Sequence, residues 1–177
     1  MTAADLGATY HAGCPVGPAS LRMLHMSYWG FDSRAHVGAM VVNAAVTQPV
    51  LTVFATLFRA HFPIRRMVPV DAYGGSDDAS MAADNTSAFN CRTVANSTNW
   101  SEHAYGEAID VNTVENPYLV DGTVEPPAGR AYLDRSPLGP GMAGPGTSVN
   151  NAFASIGWPW GGRFHSPDYQ HFSKSGR

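Results

Sequence analysis

The chain has 177 residues, of which 44% are hydrophobic and 14% charged, with a formal net charge of −3. That is enough apolar material for one domain with a sizeable core, and it excludes a disordered chain. A single lysine, Lys174, and ten arginines gathered into no run leave no electrostatic footprint for nucleic acid or an anionic membrane surface.

No stretch approaches the roughly 20 apolar residues that span a bilayer, and residues 1–7 are too polar for a secretory signal. The chain therefore either starts in the cytoplasm or has had a signal trimmed away. Residues 1–47 read as an N-terminal extension of a single domain covering 1–177. Cys14 and Cys91 are either a disulfide, which implies an oxidising compartment, or two isolated buried thiols. Residues 39–46 have the composition of a strand or of a helix start.

The clearest helix covers residues 49–61, where Val50, Val53, Phe54, Leu57 and Phe58 form one apolar stripe and Pro63 stops it. His61 at its end reads as a partner of the helix dipole, not a ligand. Residues 67–73 have strand composition and end at the Gly74-Gly75 turn signal, before a loop rich in Asp, Ala and Ser. Residues 86–92 alternate as a strand with Phe89 and Cys91 on one face and Asn90 and Arg92 on the other. Asn85-Thr-Ser, Asn96-Ser-Thr and Asn99-Trp-Ser match the glycosylation pattern, which is common by chance in Ser/Thr-rich stretches and carries no argument.

A further strand is expected at 107–112, then a long surface excursion over the proline- and glycine-rich residues 115–147. Ser148 caps a short helix ended by Gly157. Trp158 and Trp160 alternate and pack as core, with a groove wall as the alternative. His171-Phe172 closes the chain as a last strand.

The chemistry concentrates in two places. His103 and Asp110 lie seven residues apart, and Gly106 with the β-prone Ile109 and Val111 argues for a loop entering a strand rather than a helix. Asp168 and His171 lie three apart, and Pro167 turns the chain so that both aim the same way. Two imidazoles and a carboxylate leave one tetrahedral position for water, the arrangement of a catalytic zinc site, whereas a structural site fills all four, usually with thiolates. A metal in such a site draws the pKa of a bound water from about 15.7 toward roughly 7. His103, Asp110 and His171 are therefore the candidate ligands of Zn2+ and Asp168 the acid–base group. Asp110 sits between two apolar residues, and an unpaired buried carboxylate costs several kcal/mol, so a cation or donors must lie beside it. His11, His25, His36 and His165 lack a partner at ligand spacing.

The motifs Ser101-Glu-His103-Ala-Tyr-Gly106-Glu-Ala-Ile-Asp110 and Trp160-Gly-Gly-Arg-Phe-His-Ser-Pro-Asp168-Tyr-Gln-His171-Phe172 resemble the D-alanyl-D-alanine carboxypeptidase-like zinc peptidases. That group includes cell-wall carboxypeptidases, vancomycin-resistance dipeptidases and endolysin L-alanyl-D-glutamate peptidases. The similarity runs from roughly residue 49 onward. It implies a small α+β domain whose antiparallel sheet holds zinc with helices packed on it, with His103, Asp110 and His171 as ligands and Asp168 as base. It also implies peptidoglycan stem peptides as substrate and work outside the cytoplasm or at the cell wall. The family's substrate-binding arginine segment reads Ala72-Tyr73-Gly74-Gly75-Ser76 here and has no arginine. Arg92 is the substitute, stabilising the oxyanion or holding a terminal carboxylate. Ser87, Ser101 and Trp160 are the expected substrate contacts. Carboxypeptidase and endopeptidase both stay open, and the alternative class is a non-catalytic zinc-stabilised wall- or protein-binding module. A serine hydrolase is disfavoured, since no Gly-x-Ser-x-Gly elbow is present.

Overall fold

The computed structural model describes residues 1–95 and 97–177. Its backbone begins with a short helix α1 (Ala3–Leu6) and is then organised by a hairpin of β1 (Leu21–Gly30) and β2 (Ala35–Asn43), paired antiparallel from Leu21 opposite Asn43 to Trp29 opposite Ala35. Leu24 and Met26 of β1 with Met40 and Val42 of β2 face the main core, because alternate residues of a strand share a face. Leu21 and Val41 enter a second cluster with Leu6, Phe89 and Cys91. Residues 1–47 are thus no appendage: they supply one wall of the core.

Helix α2 (Thr47–Arg59) buries Val50, Val53, Phe54 and Leu57, the stripe expected from its spacing, against β1 and α4 (Ser148–Ser155). It starts two residues earlier than its apolar period. Pro63 does end it, and β3 (Pro63–Ile64) then pairs parallel with β1. His61 stacks on Trp29 with ring centroids 4.2 Å apart, so it is no ligand. The resulting order is β2-β1-β3, with a separate antiparallel pair of β4 (Ala108–Asp110) and β7 (His171–Ser173). The α+β class is as expected.

Several local expectations fail for identifiable reasons. Residues 67–69 touch β2 through one main-chain bond, Ala39 N to Met67 O at 2.9 Å, and Pro69 has no donor to extend the ladder. Val70–Tyr73 closes instead as a 3₁₀ turn. The Asp-rich loop contains helix α3 (Asp77–Ala82), capped by the Ser76 side chain accepting from Ala79 N. Residues 86–92 are extended but form only an isolated bridge, Ser87 opposite Asp110, and Asn90 is buried. Thr147, not Ser148, caps α4. Cys14 and Cys91 are joined as a disulfide. Asn85 is buried, with its amide bonded to Val68 and Ser80, which removes it as a glycosylation acceptor; Asn96 lies outside the described residues.

The 115–147 segment runs over the surface through its middle, as expected, but both of its ends are packed. A hairpin of β5 (Tyr118–Val120) and β6 (Thr123–Glu125) opens it, and Met142 and Ala143 are buried near its end. Asn116 holds the two ends together: its amide donates to Val111 O and Gly141 O, while its carbonyl accepts from Ala143 N and Arg135. Beside it Glu115, 1% exposed, lies 3.4 Å from Arg65. Burial, then the hydrogen bond and charge of Asp84, push Glu115 up to about 7 from an ordinary 4.5, against the pull of Arg65.

The fold therefore favours the protonated acid. The stability this contributes is fully present below pH 4.5 and is lost as the pH rises through about 7. Glu115→Gln is expected to flatten that decline and to raise stability at pH 8 by up to about 3 kcal/mol, read from urea unfolding at pH 5 and pH 8.

Candidate metal centre

His103 lies on a 3₁₀ turn, Glu102–Tyr105, whose first N–H groups are met by the Ser101 hydroxyl accepting from His103 N at 3.3 Å. Gly106 ends the turn at φ 68° with its would-be Cβ only 2.7 Å from Asn43 N, so both backbone conformation and space demand glycine. Asn43 at the end of β2 clamps the turn through its N–H to Gly106 O and its amide to Tyr105 O. The chain then enters β4, as the Ile109 and Val111 composition suggests.

Asp110 and His171 are directly opposite one another in the β4–β7 register, so their side chains leave the same face of the ladder. The Pro167 turn behaves as expected: His171 N donates to Asp168 O at 3.3 Å. Three side chains distant in sequence thus meet, all buried: His103 at 4%, Asp110 at 6% and His171 at 7% exposed. His103 Nε2 lies 3.1 Å from Asp110 Oδ2, His171 Nδ1 lies 3.1 Å from Asp110 Oδ1, and the two ring nitrogens are 3.2 Å apart.

The remaining ring nitrogens fix which atoms face inward. His103 Nδ1 donates to Ala88 O at 2.6 Å and His171 Nε2 donates to Arg177 O at 3.0 Å. A carbonyl can only accept, so the inward nitrogens keep their lone pairs for a cation. Tetrahedral bonds of about 2.0–2.1 Å place neighbouring ligand atoms roughly 3.3 Å apart, which matches the three separations. The group fits a divalent metal ion in number, chemistry and spacing. Burial alone would raise the Asp110 pKa; the charge and hydrogen bond of His103 and those of His171 outweigh it and hold the carboxyl well below its ordinary range. Burial would likewise lower His171, but its hydrogen bond to Asp110 and the charges of Asp110 and Asp168 raise it to about 9. A positive charge is thus what this trio holds most firmly.

Asp168 lines the same cleft, and its Oδ1 is buried with no hydrogen-bond partner. Desolvation, with Asp110 adding repulsion, pushes it up to about 7 despite the pull of His171. Its backbone is held from both sides: Asp168 N donates to Gly161 O, and the β5 hairpin lies on its turn through Leu119 N to Pro167 O and Tyr169 N to Pro117 O. Gly161 is required there, because a Cβ would sit 2.7 Å from Asp168 O.

The other expected site residues divide. Ser101 and Arg92 line the cleft, but Arg92 is paired with Asp77 at 2.7 Å and is not a free cation. Ser87 is buried away from the cleft, where its backbone bridges Asp110, and Trp160 packs on the core and donates to Tyr169 O. Neither lines the cleft; the chain at both places flanks the ligand strands, Ser87 bridging Asp110 and Trp160 bridging Phe172. Gln170, Met81 and Tyr118 do line it and were missed. Only Gln170, beside a ligand histidine, carried a positional hint.

A buried His/Asp/His group with a raised acid beside it in an open cleft is the arrangement of a metal-dependent hydrolase. Residues 95–174, which carry all four of these side chains, match the family model described as D-alanyl-D-alanine carboxypeptidase. The match bears out the family resemblance read from the two motifs. No curated protein and no solved structure matches it.

Substituting His103 or His171 by Ala is expected to weaken divalent-ion binding by roughly 10²-fold or more, while Asp168→Asn retains the ion. Metal content after dialysis, by elemental analysis, reads both outcomes.

Proposed function

We propose that the chain is a zinc-dependent peptidase that hydrolyses amide bonds of peptidoglycan stem peptides. The observation that carries the reading is the buried, unpartnered Oδ1 of Asp168 in the same cleft as three ligand atoms spaced for one ion. His103, Asp110 and His171 would hold the ion, which supplies Lewis acidity toward a water and toward the scissile carbonyl.

Asp168 does the proton work. As the carboxylate it takes a proton from the water whose oxygen attacks the carbonyl carbon; as the acid it gives that proton to the departing amine nitrogen when the C–N bond breaks. A carboxyl pushed up to about 7 exchanges a proton in both directions near neutral pH. Its burial keeps other donors from satisfying it, and the β5 hairpin and Gly161 hold its backbone so that the carboxyl meets the substrate in one position. Ser101 acts through His103, whose turn it caps, and is a positioning residue.

A non-catalytic binding module has no use for an acid buried without a partner, so the enzyme reading is preferred. The Cys14–Cys91 disulfide supports work in an oxidising compartment, outside the cytoplasm or at the wall. Among the described residues no helix is long and apolar enough to cross a membrane.

Digestion of purified muropeptides, followed by mass, tests the reading. Hydrolysis is expected with zinc, is abolished by chelation and returns on adding zinc back. Asp168→Asn is expected to lower kcat by about 10²–10⁴-fold with the ion still bound. A zinc-loaded chain that leaves every muropeptide intact sinks the proposal.

A further inference from the structure

A second group of ligand-type side chains lies at the disulfide, apart from the trio and independent of the peptidase reading. His11, which the motif spacings left without a partner, meets both cysteine sulfurs in the fold. His11, Cys14 and Cys91 each bring one ligand atom, all within 4.8 Å of one another. His11 Nε2 lies 3.5 Å from Cys91 Sγ, and the His11 backbone N–H donates to Cys14 Sγ at 3.3 Å. Cys91 N donates to Thr9 O at 3.0 Å, so the segment that carries His11 and Cys14 is also seated on Cys91 by a main-chain bond.

The orientation of His11 suits more than a disulfide. Its Nδ1 lies 2.9 Å from Ala12 O, and a carbonyl only accepts, so the neutral ring carries its proton there and turns the Nε2 lone pair toward Cys91. A disulfide sulfur has no proton to give that lone pair. A thiol does, and an ion bound to the thiolate engages it directly. The spacing agrees as well. Tetrahedral bonds of about 2.3 Å to sulfur and about 2.0–2.1 Å to nitrogen set those two atoms about 3.5 Å apart, which is the separation present. With the Cα atoms 5.9 Å apart, side-chain rotation brings both sulfurs onto one ion. The N–H bond to Cys14 Sγ strengthens when that sulfur is a thiolate.

We infer that reduction of the Cys14–Cys91 bond opens a second metal site, in which His11 Nε2 and the two thiolates hold one zinc ion with a fourth position for water. A dithiol supplies the two electrons. Its thiolate attacks Cys14 Sγ, on the more exposed of the two residues, and Cys91 leaves as a thiolate; the second sulfur of the dithiol then closes on the first, which frees Cys14 and carries the reductant away as a disulfide. Zinc forms two bonds to sulfur and one to nitrogen, and the thiol protons go to solvent. Oxidation by a disulfide runs the sequence backward: the sulfurs give up two electrons, their bond re-forms and the ion leaves. Thiolate and imidazole ligands favour zinc over calcium or magnesium. In the reduced chain the ion pins residues 9–14 to Cys91, as the covalent bond does in the oxidised one, beside Arg92 and Trp100 of the cleft wall.

Cobalt(II) is the probe, because charge transfer from thiolate to cobalt gives an ultraviolet absorption that a trio of nitrogen and oxygen ligands cannot produce. The full chain is treated with a dithiol until both cysteines titrate as free thiols, the dithiol is removed, and reduced and oxidised chains are titrated with cobalt in the absence of oxygen. The reduced chain is expected to bind one ion more than the oxidised chain and to show the absorption; zinc abolishes it by displacement, and a disulfide oxidant abolishes it by releasing the ion. His11 is exposed, so His11→Ala leaves the fold in place, and it is expected to weaken the extra ion by about 10²-fold. The count is a difference between two redox states, so it stands whether or not the trio binds metal. A reduced chain without the absorption overturns the inference, as does unchanged affinity in His11→Ala. So does a bond that the dithiol fails to open, or a reduced chain whose circular dichroism is lost with cobalt present, since the site needs residues 9–14 seated on Cys91.

Discussion

The structure depends on one buried carboxylate. Asp110 sits in the middle strand of a three-part arrangement, with Ser87 bonded to its backbone on one side and His171 opposite it on the other, and its side chain is almost wholly removed from water. Such a group is tolerated only with positive charge and donors at hand. His103 and His171 provide them, and each histidine is turned to do so by a main-chain carbonyl behind it. Those carbonyls belong to segments far apart in the chain. One follows β7, and the other lies in the stretch that the disulfide joins to the N-terminus and that Phe89 bonds to β2. Holding one charge therefore commits most of the molecule.

Legibility in the sequence followed the range of the interaction. The α2 stripe was readable because its period is local, and the ligand motifs were readable because Gly106 and Pro167 mark the turns that aim them. The β1–β2 hairpin was not. Leu21-Arg-Met-Leu-His-Met-Ser-Tyr-Trp-Gly lacks a clean alternation, because this strand meets the main core at Leu24 and Met26 and the smaller cluster at Leu21. Helix α3 was hidden by loop-like composition, although Ser76 offered a cap. Arg92 lines the cleft, but no local pattern reveals that Asp77 pairs with it across fifteen residues.

The 115–147 segment shows how a proline- and glycine-rich run over the surface is tied down at its ends. Its ends are tied by Asn116 and Arg135, with Arg135 also laid over the Tyr169 ring at 4.3 Å. Proline and glycine here allow a tightly turned path with few regular bonds, while side-chain amides and one guanidinium supply what a ladder would have supplied. The amides are invisible to periodicity because each acts alone.

The β5–β6 hairpin touches two matters at once. Asp121 in its turn and Glu125 at its base form part of the cleft wall, while its β5 edge splints the turn that carries Asp168. A lineage that lengthened or exchanged this ribbon to accommodate a different wall chemistry would disturb the seat of the proton carrier in the same stroke. Selectivity and turnover in this scaffold are mechanically yoked, so loop grafting would trade one against the other unless the Leu119 and Tyr169 contacts were carried along.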